Sequence, residues 1–228
     1  MDALIFDFDG VIVDSEPIHL ECFGRVLLPA GVVLTHEDYY AKYLGYDDHD
    51  CFVAAMRDHG KPVVEDQIAA MIRAKSVLVQ ETYSRKVRAL PGSVELIRSA
   101  AGAKIPLAVC SGALREEIEQ AARAVGVKDL FATIVAARDV TRGKPDPEGY
   151  AKALDRLRAA TGRPLRAGAS VVVEDSVAGI DAALGAGMKV LAVTNSYPAD
   201  ALGRASRVVG SLAEVTLKDL EAIAGKTG

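Results

Sequence analysis

Two aspartates near the start of the chain, Asp7 and Asp9, have the types and spacing most suggestive of chemistry. They follow an apolar run at residues 3–6 and precede Gly10. Residues two apart on a strand point to the same side, so both carboxylates would lie together where the strand ends. Like charges this close favour a divalent cation, a shared proton, or both. Asp-x-Asp also occurs in turns, where carboxylates bond to backbone amides, so the pair alone leaves both interpretations open.

Three further groups of polar residues follow predicted strands or lie in a loop between them. They are Ser111 with Gly112, Lys144 in a proline-bracketed loop, and Glu174 with Asp175. Taken singly, each has a structural interpretation: a serine caps a helix, a lysine is a surface charge, and acids are favoured at a helix start. Ligand sites in open α/β sheets lie at the carboxyl ends of strands. The joint occurrence of these groups therefore favours one convergent site.

The elements that would position these residues alternate along the chain. Short apolar runs that suit central parallel strands occur at residues 4–6, 105–109, 133–135, 170–173, 190–193 and 208–209. Segments with helical periodicity lie between them, for example the run at residues 150–157. Strands and helices that alternate in this way predict an α/β fold, a Rossmann-like doubly wound parallel sheet with helices on both faces.

Residues 16–88 differ from the rest because they contain no strand-like run and show helical periodicity throughout. This predicts an inserted all-helical domain at 16–88 and an α/β core domain formed by 1–15 and 89–228. Residues 90–92 mark the return to the core, and Ser93 is predicted to cap the following helix. Because the insertion begins just after the two aspartates, we expect it to act as a lid that excludes water and selects the substrate.

Composition limits the classes of function. The chain has 228 residues, half of them hydrophobic, which is enough for one sizeable core and a smaller second domain. The net charge is −4 and no long cluster of Lys and Arg is present, so nucleic acid is not an expected partner. Apolar runs too short to span a bilayer, and a start without a basic segment, predict a cytoplasmic protein with no membrane association. We expect a monomer or a weak homodimer.

The three cysteines, Cys22, Cys51 and Cys110, are few, odd in number and without metal-ligand spacing. These features favour reduced thiols over a disulfide framework. Cys110 directly precedes Ser111 and is a candidate nucleophile, but no nearby histidine supports that role. A buried small hydrophobic residue is the preferred interpretation.

The sequence resembles the four-motif signature of the haloacid dehalogenase-like superfamily. The residues that carry the resemblance are the segment 7–17, Ser111, the segment 143–147 and the segment 174–180. The motifs occur in order and span essentially the whole chain. The likeness is greatest to the branch with a helical cap between the first two motifs, which includes β-phosphoglucomutase and many small-molecule phosphatases.

The resemblance implies a mechanism and a set of site residues. Asp7 would be the nucleophile that forms an aspartyl-phosphate, and Asp9 would be the general acid and base. The resemblance also implies Mg²⁺, held by Asp7, the main-chain carbonyl of Asp9 and Asp175, with Glu174 helping directly or through water. The phosphoryl oxygens would be bound by Lys144, the Ser111 hydroxyl and the Gly112 amide. The expected partner is a small-molecule phosphoester.

Departures from the family pattern choose among its activities. Asp9 argues for phosphoryl transfer, because the dehalogenase branch lacks this second acid. In β-phosphoglucomutase the cap loop near Gly45 supplies an arginine for the second phosphate, whereas Tyr46 and acids follow it here, and Ala113-Leu114 replace a Ser-Lys pair. We therefore expect an enzyme, a Mg-dependent phosphatase acting on a sugar or polyol phosphate. The alternatives are a β-phosphoglucomutase-like mutase and, less favoured, a non-catalytic phosphometabolite-binding protein.

Four residues of the predicted cap are expected to contact the substrate: His19, Tyr43, Gly45 and Tyr46. Aromatic residues in a polar loop suit recognition of sugar hydroxyls. His19 has the alternative of a satisfied histidine facing the interdomain cleft. Asp47 and Asp48 are further candidates for substrate selection, and the segment 47–50 fits a solvated helix start equally well.

Overall fold

A computed structural model describes residues 1–44 and 46–225, without the side chains of residues 84 and 85. The chain divides into two compact units. Met1–Asp14 and Arg88–Gly228 form the first, here called the α/β unit, and Ser15–Val87 form the second, here called the helical unit. The predicted domain boundaries lie one residue further along the chain at both junctions.

The regular elements follow one another closely. The strands are β1 (Leu4–Phe6), β2 (Val13–Asp14), β3 (Arg88–Ala89), β4 (Leu107–Cys110), β5 (Thr133–Val135), β6 (Val171–Glu174), β7 (Lys189–Val193) and β8 (Arg207–Val209). The helices are α1 (Glu16–Leu27), α2 (His36–Asp38), α3 (Asp48–Asp58), α4 (Glu65–Lys86), α5 (Ser93–Gly102), α6 (Arg115–Ala124), α7 (Glu148–Thr161), α8 (Val177–Gly185) and α9 (Leu217–Ala224).

A six-stranded sheet of order β5-β4-β1-β6-β7-β8 forms the centre of the α/β unit. Every neighbouring pair in it is parallel. Strand β1 lies inside the sheet, where Phe6 pairs with Val109 on one side and with Val173 on the other. The predicted Rossmann-like parallel sheet is confirmed. Its strands begin within two residues of the predicted positions, because buried parallel strands read as short continuous apolar runs.

Helices whose apolar residues repeat at helical spacing pack against the sheet and form the hydrophobic core with it. In α7, Tyr150, Leu154 and Leu157 are buried, as the periodicity predicts. They pack with alternate residues of the central strands, including Ile5 and Ala108. Successive residues of a strand point to opposite faces of the sheet, so β1 contributes side chains to the packing on both faces. All three of its residues are buried.

The start of α5 differs from the prediction. Ser93 is not the N-cap; it is the first helical residue, fully buried, and its hydroxyl donates to the carbonyls of Ile12 (2.9 Å) and Leu90 (2.8 Å). Gly92 takes the cap position at a φ of 82°. The serine therefore ties the returning chain to the segment that follows β1.

All regular structure in the described part of the helical unit is helical, as the periodicity predicts. Its core contains Phe23, Leu27 and Phe52. Lys75 is also buried; its ammonium pairs with the Asp48 carboxylate and lies 4.0 Å from the centre of the Phe23 ring. Within residues 1–44 and 46–225, no helix combines the length and apolar character needed to cross a membrane.

Gly92→Ala tests the close packing at the start of α5. A Cβ at Gly92 would lie 2.1 Å from the Ala213 nitrogen and 2.3 Å from the Leu212 carbonyl carbon, which are backbone atoms that cannot rotate away. We expect a loss of about 3 kcal/mol in the free energy of unfolding, measured by urea titration. Gly162→Ala is the control, because Gly162 has a φ of 67° and nothing within 4 Å of a Cβ. It should cost only about 1 kcal/mol; equal losses would contradict the packing argument.

Candidate active site

The end of β1 is where Asp7 is positioned. The Asp7 N–H donates to the Val173 carbonyl at 2.9 Å, which continues the ladder between β1 and β6 by one residue. The chain then turns through residues 8–13, where the Phe8 carbonyl accepts from the N–H groups of Ile12 (2.8 Å) and Val13 (3.2 Å). The Asp7 carboxylate is consequently held at the carboxyl edge of the sheet and is only 8% exposed.

Lys144 lies between two of the predicted site carboxylates. Its Nζ is 2.7 Å from Asp7 Oδ1 and 2.6 Å from Glu174 Oε1; Glu174 is fully buried, Asp7 is nearly so, and Lys144 is half-buried. The loop that presents it is held by Glu148, whose carboxylate accepts from the N–H groups of Thr141 and Arg142, both at 3.0 Å. The alternative of a solvated surface charge does not describe this lysine.

Glu174 accepts hydrogen bonds on both carboxylate oxygens. Oε1 accepts from Lys144 and from the Tyr150 hydroxyl, each at 2.6 Å. Oε2 accepts from the Asp175 N–H (3.0 Å) and from the Ser176 N–H (3.1 Å) and hydroxyl (2.9 Å). Burial raises the pKa of Glu174, but the charge of Lys144 and these hydrogen bonds outweigh it, so the pKa is lowered.

For Asp7 and Asp175 the effect of burial outweighs the opposing interactions, so their pKa values are raised. Burial raises the pKa of Asp175 to about 7, and the neighbouring Glu174 charge adds to this effect. Burial likewise raises the pKa of Asp7 well above its usual range, although Lys144 opposes it. Ligand oxygens of Asp7, Glu174 and Asp175 lie within 4.8 Å of one another. These three clustered carboxyl groups are hard oxygen donors, and a bound cation such as Mg²⁺ would take the place of the protons that burial favours on Asp7 and Asp175.

Ser111 brings the end of β4 to the same edge. Its N–H donates to the Val135 carbonyl at 3.0 Å, and its hydroxyl lies 3.4 Å from Asp9 Oδ2 while accepting from the Ala113 N–H at 3.0 Å. Gly112 is exposed. Helix α6 begins only at Arg115, so the segment at residues 111–114 is a turn that precedes the helix.

Two further residues at this edge are Cys110 and Ser176. Cys110 is buried and unpaired, and burial raises its pKa to about 12, so the thiol is not a nucleophile at neutral pH. Cys22 and Cys51 are likewise buried and unpaired. Ser176 caps α8, because its hydroxyl accepts from the Gly179 N–H at 3.0 Å.

The predicted substrate residues of the helical unit have different environments. Tyr43 is buried, and its hydroxyl donates to Asp58 at 2.8 Å, which is a structural contact. Tyr46 is 52% exposed, and Gly45 lies outside the described residues. His19 Nδ1 is buried and has no hydrogen-bond partner among the described residues, and Nε2 lies 3.4 Å from the Tyr83 hydroxyl. Burial, and then the Lys75 charge, lower the pKa of His19 to about 3, so this imidazole is neutral.

The acidic segment after Tyr46 is the beginning of a helix. Asp47 is the N-cap of α3 and accepts from the Asp50 N–H at 2.8 Å. Asp48 pairs with Lys75. These contacts match the helix-start alternative for this segment.

Sequence reasoning missed three residues at this site. Tyr150 was predicted as a helix core residue, and its hydroxyl contact with Glu174 is not visible in a periodicity. Asn195 donates to the Gly10 carbonyl at 2.7 Å, and the Ser196 hydroxyl donates to Asp175 Oδ2. Both follow β7, a predicted strand, so the rule that pointed to the ends of the other strands would have found them.

Comparison with known proteins identifies the class. Residues 4–193 match the haloacid dehalogenase-like hydrolase family, and the chain belongs to this family. The chain is 31% identical over 216 residues to validoxylamine A 7'-phosphate phosphatase of Streptomyces hygroscopicus subsp. limoneus, with 92% of this chain and 94% of that protein covered. It is 28% identical to a phosphorylated carbohydrates phosphatase of Thermotoga maritima, with 83% of each chain covered.

The fold is similar to that of a solved structure. The structure of a CbbY variant from Rhodobacter sphaeroides in complex with xylulose-(1,5)bisphosphate has a TM-score of 0.84 and 26% identity. The superposition covers 97% of this chain and 99% of that one. The predicted family and the predicted enzyme class, a phosphatase, are thereby confirmed.

The raised pKa of Asp175 predicts that the stability of the metal-free protein depends on pH. Asp175→Asn tests this prediction. The pKa of about 7 in the folded state lies above the value in the unfolded state. The contribution of Asp175 to the free energy of unfolding is therefore complete below about pH 4 and is lost as the pH rises through 7. We expect the stability of the unsubstituted protein, relative to Asp175→Asn, to fall by on the order of 2 kcal/mol between pH 4 and 8. Urea unfolding with EDTA across this range measures the difference. A flat difference would show that burial does not hold a proton on Asp175.

Proposed function

We propose that this protein is a Mg²⁺-dependent phosphatase that hydrolyses a small phosphorylated metabolite, a sugar or polyol phosphate, through an aspartyl-phosphate intermediate. The observation that carries the proposal is the buried Asp7 carboxylate, 2.7 Å from Lys144 and clustered with Glu174 and Asp175. The substrate class is supported by relatives, since one is named for a validoxylamine phosphate and one structure contains a ketose bisphosphate.

In the proposed first step, an Asp7 oxygen attacks phosphorus as the bond to the leaving oxygen breaks. Asp9 gives its proton to that oxygen. In the second step, water attacks phosphorus, Asp9 takes a proton from the water, and the bond to Asp7 breaks to release inorganic phosphate and restore both carboxyl groups. These roles require Asp7 ionised while Asp9 holds a proton. Burial raises the pKa of Asp7, whereas the neighbouring Lys144 charge lowers it, and a bound Mg²⁺ would favour the ionised form further.

We propose that Lys144, the Ser111 hydroxyl and the Gly112 amide bind the phosphoryl oxygens of the substrate. Among the described residues, two N–H bonds of Lys144 donate to Asp7 and Glu174, and we assign the third to a phosphoryl oxygen. Mg²⁺ would be held by Asp7, the Asp9 carbonyl and Asp175, with Glu174 directly or through water. When bound it would supply positive charge that offsets the charge of the phosphoryl group.

The structure of the α/β unit supports hydrolysis over mutase chemistry. Arg115, the first residue of α6, is the first basic residue after Ser111 and is therefore the candidate there for holding a second phosphate. Its guanidinium donates instead to the Ile134 carbonyl at 2.8 Å and to Asp139 at 2.6 Å. Arg156 donates to the same two residues, so these arginines form a structural cluster at β5.

The other assignments remain proposals of the same kind. Residues 1–15 and 89–228 would be the catalytic core, and residues 16–88 would be a cap in which His19, Gly45 and Tyr46 contact the substrate; Tyr43 is withdrawn from this set because its buried hydroxyl already donates to Asp58. Tyr46 is the best supported of these because its ring is exposed. The cytoplasmic location and the monomeric or weakly dimeric state also remain predictions.

A panel of sugar, polyol and nucleoside monophosphates tests the activity. We expect Mg²⁺-dependent release of inorganic phosphate from a sugar or polyol phosphate, abolished by EDTA. β-Glucose 1-phosphate is followed in parallel for glucose 6-phosphate. Conversion to glucose 6-phosphate with little free phosphate would establish a mutase, and no turnover of any compound would favour a binding protein.

Asp7→Asn tests the nucleophile. An amide is not a competent nucleophile, so phosphate release should fall by roughly four orders of magnitude or more with the fold retained. Asp2→Asn is the matched control, because Asp2 pairs with Arg166 at the surface of the same unit, and its activity should be unchanged. Mass spectrometry of acid-quenched protein should detect one added phosphoryl group on the unsubstituted chain and none on Asp7→Asn. Substantial turnover by Asp7→Asn would refute the assignment.

A further inference from the structure

We infer that Asn195 and Ser196, which follow β7, are positioning residues that set the Mg²⁺ affinity of the site by fixing Asp175 against the turn at Gly10. This inference rests on the proposed function, because it takes Asp7, Asp175 and the Asp9 carbonyl as the metal-binding groups. Neither residue lies in a motif of the family resemblance.

The sheet topology brings the three segments together. Strands β1, β6 and β7 are neighbours, so Phe6, Val173 and Leu191 lie side by side in register. The chain leaves each of these strands at the same edge of the sheet. Residues 7–10 follow β1, Asp175 follows β6, and Asn195 and Ser196 follow β7. The β7 segment therefore flanks Asp175 on the side away from β1.

Two hydrogen bonds join the segments. The Ser196 hydroxyl donates to Asp175 Oδ2, and the Asn195 side-chain amide donates to the Gly10 carbonyl at 2.7 Å. The first bond fixes the rotation of a carboxylate that is only 4% exposed. The second bond holds the turn that immediately follows Asp9. The residues are adjacent in sequence, so a single short segment restrains both sides of the proposed metal site.

The fit between these segments is close enough for such restraint. Gly10 has a φ of 71°, and a Cβ placed there would lie 1.9 Å from Asp175 Oδ2 and 3.0 Å from Ser196 Oγ. The backbone of the turn, the carboxylate and the hydroxyl thus meet at one point, where only a hydrogen fits. A displacement of residues 195–196 would be transmitted to both Asp175 and the turn.

Positioning is a better account of these side chains than packing. Asn195 is exposed and Ser196 is half-buried, and neither belongs to the apolar core of the sheet. Ser196 is a neutral donor, so it orders the carboxylate without neutralising the charge that a cation needs. Partners of this kind, which orient metal ligands without touching the metal, typically change metal affinity by about 10–100-fold when removed.

The test is Mg²⁺ binding to metal-free protein, measured by isothermal titration calorimetry on the full chain. Ser196→Ala removes the donor and Ser196→Thr retains a hydroxyl. The matched control is Ser211→Ala, because Ser211 follows the next strand, β8, and its hydroxyl bonds to backbone groups of Ala213 and Pro91. We expect Ser196→Ala to raise the Kd for Mg²⁺ about 10-fold, with Ser196→Thr and Ser211→Ala close to the unsubstituted value.

Activity provides a second readout. We expect Ser196→Ala to need about 10-fold more Mg²⁺ for half-maximal phosphate release, while kcat at saturating Mg²⁺ stays within about 3-fold. Asn195→Ala should shift the Kd in the same direction, and it tests the inference if Ser196→Ala does not fold. Circular dichroism and urea unfolding check the fold of each variant.

The outcomes separate this inference from the proposed function. Mg²⁺ binding by the unsubstituted protein, with an unchanged Kd in Ser196→Ala and Asn195→Ala, would overturn the inference and leave the metal site standing. Equal weakening in Ser196→Ala and Ser196→Thr would also overturn it, because the hydroxyl would then not be the cause. Absence of Mg²⁺ binding by the unsubstituted protein would refute the metal site itself, and the inference with it.

Discussion

The pairing of the half-buried Lys144 ammonium with two buried carboxylates holds the site together. Lys144 lies 2.7 Å from Asp7 and 2.6 Å from Glu174, and Glu174 is fully buried. Each ion removed from water costs several kcal/mol, so none of the three is stable there without the others. They come from the end of β1, the loop between β5 and α7, and the end of β6. The sheet topology that joins these segments is therefore also what makes the charges tolerable.

The three carboxylates share this environment unequally. Glu174 accepts five hydrogen bonds, which saturate both oxygens and keep it ionised. Asp175 accepts from Ser196, and burial beside Glu174 raises its pKa to about 7. Glu174 therefore anchors Lys144 as an ionised group, whereas burial favours the neutral form of Asp175.

Several polar side chains of the helical unit are paired within it. The hydroxyls of Tyr39 and Tyr43 donate to Glu16 and Asp58, and Lys75 pairs with Asp48. Such pairs stabilise the unit because a buried polar group without a partner costs free energy. They also explain why aromatic residues near the predicted cap loop are a weak guide to substrate, since a hydroxyl already donating to a carboxylate has little left to offer a ligand.

Local features of the chain were sufficient for the fold and for much of the site. Apolar runs predicted the parallel strands, and acids, a serine and a lysine beyond those runs predicted the cluster at the sheet edge, because strand order in α/β folds places such ends together. Ser93 was predicted wrongly as a cap, since its long-range bond to Ile12 has no local signature. The comparisons with known proteins support the family and class that the motifs indicated.

Periodicities within about ten residues are enough to predict which residues lie at the strand ends and which faces of the helices are apolar. The partners of these residues follow from the fold instead: Lys144 lies between two carboxylates, Tyr150 bonds to Glu174, and Asn195 bonds to Gly10 across 185 residues. These contacts depend on how distant segments approach and on the side-chain rotamers that close packing allows. Neither is encoded in the spacing of residues along the chain.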